Sequence, residues 1–281
     1  MHSLSKRVFR TDQFPFTWCP GCGNGTVAHA VGIAVEELGI LDRVCTVGGV
    51  GCSGWIGSIL RCDFFKAIHG RGVPNAIGLK MTDRTRKVMF FSGDGDCAAI
   101  GGNHFLHGCH KNVDITVVMI NNQIYGMTGG QAAPTTPVGS TTPTSPYGKI
   151  EAALDLCKVA EAAGATFVSR WSTAHPVQLS RSIKRAIMHP GFSYVEVITQ
   201  CPTQSGRYVH GSGDPNVLLD WIRQTCRTKS QMEKLSPGER AGKILIGDLL
   251  EEIRPELASV TYQLMADLQK KAAAQGQGGA V

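Results

Sequence analysis

Short apolar runs alternate with stretches of helical periodicity along most of the chain. Two of the runs, KVMFF at 87–91 and ITVVM at 115–119, are apolar apart from Lys87 and Thr116, the pattern of strands buried on both faces. Between them 97–110 reads as a helix, so the segment predicts a strand–helix–strand unit with parallel strands. Residues 43–48, 166–171 and 193–199 predict further strands. Helices are predicted over 25–38, with Asn24 as N-cap and Gly39 as stop, and over 74–81, with Pro74 in the first turn. Two more are predicted over 152–163 and 176–188. This alternation predicts an α/β domain, a mostly parallel sheet flanked by helices. A Thr/Pro/Gly-rich loop at 128–149 interrupts it, and loops of that length inside a domain are commonly functional. Beyond about residue 200 the pattern weakens. Residues 1–210 form the predicted domain and 211–281 a polar extension, helical over 241–272, with a disordered tail at 275–279.

Composition changes this picture only a little. With 42% hydrophobic and 18% charged residues, the 281-residue chain is an ordinary globular protein able to bury a sizeable core. The net charge of +6 is spread without a Lys/Arg block, so no nucleic-acid partner is expected. A diffuse positive face suits an acidic protein partner or anionic small molecules. No run approaches the roughly 20 apolar residues of a membrane span. The start MHSLSKR lacks the apolar core of a signal peptide, so a cytoplasmic protein without membrane contact is expected. The ten cysteines are then expected as thiols or metal ligands rather than disulfides.

Candidate chemistry concentrates where the two apolar strands end. The first runs into SGDGD at 92–96, the second into INNQIYG at 120–126. Parallel strands open such ends onto one sheet edge, where ligands bind. Gly93 and Gly95, flanking Asp94, let backbone N–H groups approach a phosphate at a helix start. Asp94 and the Asn122 side-chain oxygen are hard ligands suited to Mg²⁺ bridging a diphosphate. Either half alone is a common turn or loop. Both together, across one βαβ unit, point to a diphosphate site. The pattern resembles the thiamine-diphosphate motif, which implies Mg²⁺ held by Asp94, Asn122 and the backbone carbonyl of Ile124.

A second constellation is the segment WCPGCG at 18–23, which sets Cys19 and Cys22 in a tight turn. Such a pair serves redox chemistry, zinc or an iron–sulfur cluster. The preceding FPFT is a poor strand, which disfavours a thioredoxin-type motif, and no second C-x-x-C exists to complete a zinc ribbon. Iron–sulfur ligation tolerates scattered ligands. Cys52, among glycines, and Cys201, before Pro202 at a strand end, are candidates that the residues alone do not select. The other six read as small buried hydrophobes. His104, His107 and His110 share a helix face without a carboxylate and read as packing or surface.

Taken in order, WCPGCG, GCSG at 51–54, HGRG at 69–72, GDGD at 93–96, NNQIYGMTGGQ at 121–131 and CPT at 201–203 resemble one family. It is the β subunit of 2-oxoacid:ferredoxin oxidoreductases, of the two-subunit type often specific for 2-oxoglutarate, over about residues 14–210. The resemblance implies a thiamine-diphosphate-binding (diphosphate-domain) fold. It implies one [4Fe–4S] cluster on Cys19, Cys22, Cys52 and Cys201. Asn24, Cys52, Gly93, Asp94, Gly95, Asp96, Asn122, Gln123, Ile124, Tyr125, Gly126 and Met127 would line the cofactor, and His69 the active site. The implied reaction is coenzyme-A-dependent oxidative decarboxylation of a 2-oxoacid with electrons passed to ferredoxin, or its reverse. An α subunit, in a heterotetramer, would supply the pyrimidine-binding domain and its carboxylate. Gly129 stands where some relatives carry Lys, so pyruvate or a branched-chain 2-oxoacid is the alternative substrate. The alternative of another class is a non-enzymatic metal-binding electron-transfer module.

Overall fold

A computed structural model describes residues 3–277. Its strands are β1 (Val44–Gly48), β2 (Asp63–Lys66), β3 (Lys87–Gly93), β4 (Thr116–Asn121), β5 (Phe167–Ser172), β6 (Ser193–Ile198), β7 (Cys226–Thr228) and β8 (Ile244–Glu251). They form one eight-stranded sheet in the order β2-β1-β3-β4-β6-β5-β8-β7. The six strands from β2 to β5 in that order are parallel. β8 lies antiparallel to β5, with β7 parallel to β8. The α/β class and the mostly parallel sheet are as expected.

The apolar runs become the centre of the sheet because both faces are covered. β4 and β6 are buried at every position. Successive side chains point to opposite faces. Met89, Phe91, Val118 and Val195 therefore meet the helices Asn24–Leu38 and Pro176–Met188. Phe90, Val117, Met119 and Tyr194 enter the other layer, under the helices Gly72–Thr82, Gly102–Lys111 and Leu156–Ala163. Phe91 is wholly buried. Phe91→Ala is expected to cost about 3–5 kcal/mol, because the cavity adds to the lost transfer energy. Urea denaturation should show a lower midpoint at an unchanged m-value; a midpoint within error of the parent would contradict this packing.

Several local expectations are corrected. Asn24 is the first residue of its helix rather than the cap; Gly23 flanks the helix, and Gly39, at φ +62°, ends it as expected. The helix expected from 152 begins at Leu156, because the Asp155 carboxylate accepts the Lys158 N–H at 3.4 Å. The helix expected over 97–110 is split into a wide π-type turn, Gly95–Ile100, and the helix Gly102–Lys111. Such turns gather at functional positions. Residues 241–272 are not one helix: β8 is followed by the helix Leu257–Gln277. Apolar spacing there was ambiguous between periods, and pairing with β5 decided it; Gly247, at φ +142°, is non-helical. Of the expected disordered tail at 275–279, residues 275–277 continue that helix and 278–279 lie outside the described residues. β2, only four residues long and largely exposed, with Phe64 and Phe65 between Asp63 and Lys66, was too short to be read as a strand. No helix among the described residues is long and apolar enough to cross a membrane.

Candidate active site

Four neighbouring parallel strands, β1, β3, β4 and β6, end along the same edge. The loops that follow them carry, in turn, Cys52, Asp94, Asn122 and Cys201. Strand order alone therefore sets the oxygen ligands in the middle and a cysteine on either side.

The N-terminal segment closes over this edge. Trp18 Nε1 donates to the Cys52 carbonyl at 2.9 Å, and the Gly23 N–H donates to the Gln200 carbonyl at 3.1 Å. Gly21, at φ +76°, lies so close to Pro215 that a Cβ would fall 2.2 Å from its ring. Cys19 and Cys22 are thereby pinned beside Cys52 and Cys201, and all four are free thiols. Burial pushes the Cys22 thiol up to about 12, with Cys201, Cys52 and Cys19 adding to the rise. Burial also raises Cys52, again with Cys201 and Cys19 contributing. Among the described residues, three metal-type ligand atoms lie within 4.8 Å of one another only at Asp155, Cys157 and Glu196, so these thiols form no such set. Sulfurs around one tetrahedral zinc sit about 3.8 Å apart, from the usual Zn–S length. The four thiols are not gathered at that spacing.

Asp94 is 1% exposed and has no ion-pair partner among the described residues. Burial pushes its carboxyl up to about 7, against a hydrogen bond donated by Thr135 Oγ1. A buried carboxylate without a cation fits a metal position. The Asn122 Oδ1 and the backbone of Ile124 belong to a tight turn, in which Oδ1 accepts the Ile124 N–H at 3.3 Å. At its apex Gln123 holds φ +62°, uncommon for a side-chain-bearing residue. Gly95 lets the Tyr125 ring pack against it, since a Cβ there would fall 2.2 Å from the ring, whereas one on Gly126 would make only ordinary contact, 3.6 Å from Cys201 Sγ. Tyr125 also donates its hydroxyl to the Gly95 carbonyl at 3.1 Å. Met127 is half exposed at the rim. Oxygen donors on one turn and an uncompensated carboxylate facing it fit Mg²⁺ on a diphosphate.

Asp96 points elsewhere. It accepts from the Gly70 N–H and Ser92 Oγ, both at 2.7 Å, and lies 2.5 Å from His69 Nδ1. It therefore orients His69, whose ring stands edge-on to Tyr125 with centroids 6.3 Å apart. Arg71 is drawn to His104 on the surface, which leaves His104 no metal-type company. The long loop earns its length. Thr135 caps Asp94, and Thr136 Oγ1 donates to the Gln123 carbonyl at 2.5 Å. Sequence reading missed both threonines, and also Ser92 and Glu196. Glu196 did leave a signal, one carboxylate inside an otherwise uncharged strand. A cleft of about 1190 Å³ lies alongside, lined by Asn121, Gln123, Arg170 and Glu196 among others, but by neither Asp94 nor the four cysteines.

Residues 49–197 match the family model described as thiamine pyrophosphate enzyme, C-terminal TPP binding domain. Strand order, edge and match together define a thiamine-pyrophosphate enzyme domain. The 2-oxoglutarate synthase subunit KorB of Methanocaldococcus jannaschii is 45% identical, over 96% of this chain and 100% of its own length. The 2-oxoacid:ferredoxin oxidoreductase 2 subunit beta of Aeropyrum pernix is 40% identical over 82% of this chain and 76% of its own. A solved structure of 2-oxoglutarate:ferredoxin oxidoreductase from Magnetococcus marinus, with 2-oxoglutarate, coenzyme A and succinyl-CoA bound, superposes with TM-score 0.83. It is 30% identical, covering 94% of this chain and 90% of that one. Within the thiamine-dependent class, the chain belongs to the β-subunit (KorB) family of 2-oxoacid:ferredoxin oxidoreductases.

Proposed function

We propose that this chain is the β subunit of a coenzyme-A-acylating 2-oxoglutarate:ferredoxin oxidoreductase, forming succinyl-CoA and CO₂ or running in reverse. The observation that carries the substrate is 45% identity, across nearly the whole chain, to a relative named for 2-oxoglutarate. Asp94, Asn122 and the Ile124 carbonyl would hold Mg²⁺ on thiamine diphosphate, and Cys19, Cys22, Cys52 and Cys201 a [4Fe–4S] cluster. When bound, the first supplies a nucleophilic carbon and electron sink for decarboxylation, the second a one-electron path to ferredoxin. The chain's own residues position and insulate. Thr135 aims the Asp94 carboxylate, the glycines admit the diphosphate, and Tyr125 walls the pocket beside Gly95. Asp96, against His69 Nδ1, fixes the imidazole ring beside Tyr125. The four-strand edge brings the metal turn and the cysteines side by side, a short route for electrons.

This arrangement is half a site. The carboxylate for the aminopyrimidine ring would come from an α subunit across the edge formed by Asn24, Cys52 and Tyr125, in a cytoplasmic α₂β₂-type assembly. The test is reconstitution under anaerobic conditions. The isolated, cofactor-loaded chain should give no turnover, and adding the α subunit should bring coenzyme-A-dependent viologen reduction, fastest with 2-oxoglutarate. Steady turnover by the isolated chain, or a clear preference of the complex for pyruvate, would overturn the reading.

A further inference from the structure

The turn that carries Asn122 and Ile124 is itself held by a residue from another strand. Glu196 on β6 stands opposite Met119 on β4 in the parallel register. Asn121 lies two residues beyond Met119, so it shares that face, and Glu196 reaches it diagonally. Glu196 is 1% exposed and 75 residues from Asn121 in sequence, yet its Oε1 accepts from Asn121 Nδ2 at 2.6 Å. Its Oε2 accepts from Arg170 Nε at 2.7 Å and from Cys157 Sγ at 3.1 Å. Arg170, which is also paired to the half-buried Asp155, supplies the positive charge beside the buried carboxylate.

An ionised carboxylate only accepts hydrogen bonds, whereas an Asn amide has one donating and one accepting end. Glu196 therefore dictates which way the Asn121 amide faces. With Nδ2 spent on Glu196, Oδ1 is turned to the Gln123 N–H, which it accepts at 3.0 Å. That bond closes the turn in which Gln123 takes φ +62° and which sets Asn122 and Ile124 side by side. We infer that Glu196 is a positioning residue for the metal-binding turn, acting through the amide orientation of Asn121. This rests on the reading that Asp94, Asn122 and the Ile124 carbonyl hold Mg²⁺.

The test exploits the same donor–acceptor logic. Glu196→Gln keeps the shape but has only one accepting end. If that end stays on charged Arg170, the new NH₂ faces Asn121 Nδ2, the Asn121 amide must flip, and a donor confronts the Gln123 N–H. Adding Asn121→Asp supplies oxygens to both neighbours and restores the chain of bonds. Magnesium-dependent thiamine diphosphate affinity is read by titration calorimetry on the full chain with its α subunit, stripped of cofactor. Glu196→Gln should weaken it by about 10–100-fold, the range for residues that orient metal ligands. The double variant N121D/E196Q should recover most of that loss, a coupling that simple damage to the core would not give. Asn121→Ala, which leaves the Glu196–Arg170 pair intact, should lose as much as Glu196→Gln and serves if the latter folds poorly. Parent-like affinity in Glu196→Gln or Asn121→Ala, or a double variant no better than Glu196→Gln, would overturn the inference. Asp94→Ala run alongside separates the two levels. If it too binds normally, the metal assignment fails; if it alone loses binding, only the role of Glu196 fails.

Discussion

Replacing Asp94 by alanine is expected to lower magnesium-dependent thiamine diphosphate affinity by more than about 100-fold, beyond the usual loss for a residue that merely supports a metal ligand. The same change should leave the fold intact. Asp94 is almost fully buried without a cation, and that burial is what lifts its carboxyl to about 7. Above that pH the metal-free chain carries an uncompensated buried charge. The sign follows from linkage. The contribution of a carboxyl raised in the folded state is full below its unfolded value of 3.8, declines across the interval, and is gone once pH has risen through about 7. Asp94→Asn keeps the Thr135 partner and removes the charge. At pH 8 it is therefore expected to melt no lower than the metal-free parent while still failing to bind. Calorimetric titration and a thermal melt on the same preparations decide it. Parent-like affinity would remove Asp94 from the metal site; a markedly lower melting temperature for Asp94→Asn would mean that the carboxylate is structural.

Cys52→Ser is expected to abolish the broad visible absorption of an iron–sulfur cluster and, with it, ferredoxin reduction by the reconstituted complex. Cys52 sits in the loop after β1, held to the N-terminal segment through Trp18 and close to Cys201 and Cys19. Serine keeps the volume but replaces the thiolate that iron requires. The control is Cys226→Ala. Cys226 is buried in a small cluster with Ile198, Ile222 and Ile246, well inside the C-terminal segment. Its loss should lower stability and leave iron content and spectrum unchanged. Iron and acid-labile sulfide per chain, measured after anaerobic purification, give the answer. Equal iron in both variants and the parent would remove Cys52 from the ligand set.

These two experiments touch parts of the site that differed in how far they could be read beforehand. Asp94 and Asn122 each follow a mostly apolar strand, and the loop chemistry after it, Gly-Asp-Gly and Asn-Asn, is contiguous in the chain. Nothing remote was needed to place them at one edge, because two parallel strands joined by one helix must end side by side. The thiols were less legible. The spacing of Cys19 and Cys22 marked them as a pair, whereas Cys52 and Cys201 were candidates that only the family resemblance selected; the strand order sets β1 and β6, which precede them, on either side of β3 and β4. Asp96 was read as part of the cofactor loop. The structure turns its side chain toward His69, because Gly70 and Ser92 supply donors there and Gly49 leaves the space that a Cβ would fill.

What the chain by itself determined is what short-range physics can carry: the α/β alternation, the buried central strands, the helix stop at Gly39 and the oxygen-bearing turns at two strand ends. Each depends on neighbours a few residues away, through periodicity, backbone conformation and local hydrogen bonding. Tertiary structure alone decided the rest. Residues 244–251 became a strand because β5 offered an open edge, an outcome that their own apolar spacing could not settle. Thr135 reached Asp94 across 41 residues, and Glu196 reached Asn121 across 75. A buried polar group must find its partner wherever the fold brings one, and for these groups the partner lies on another element.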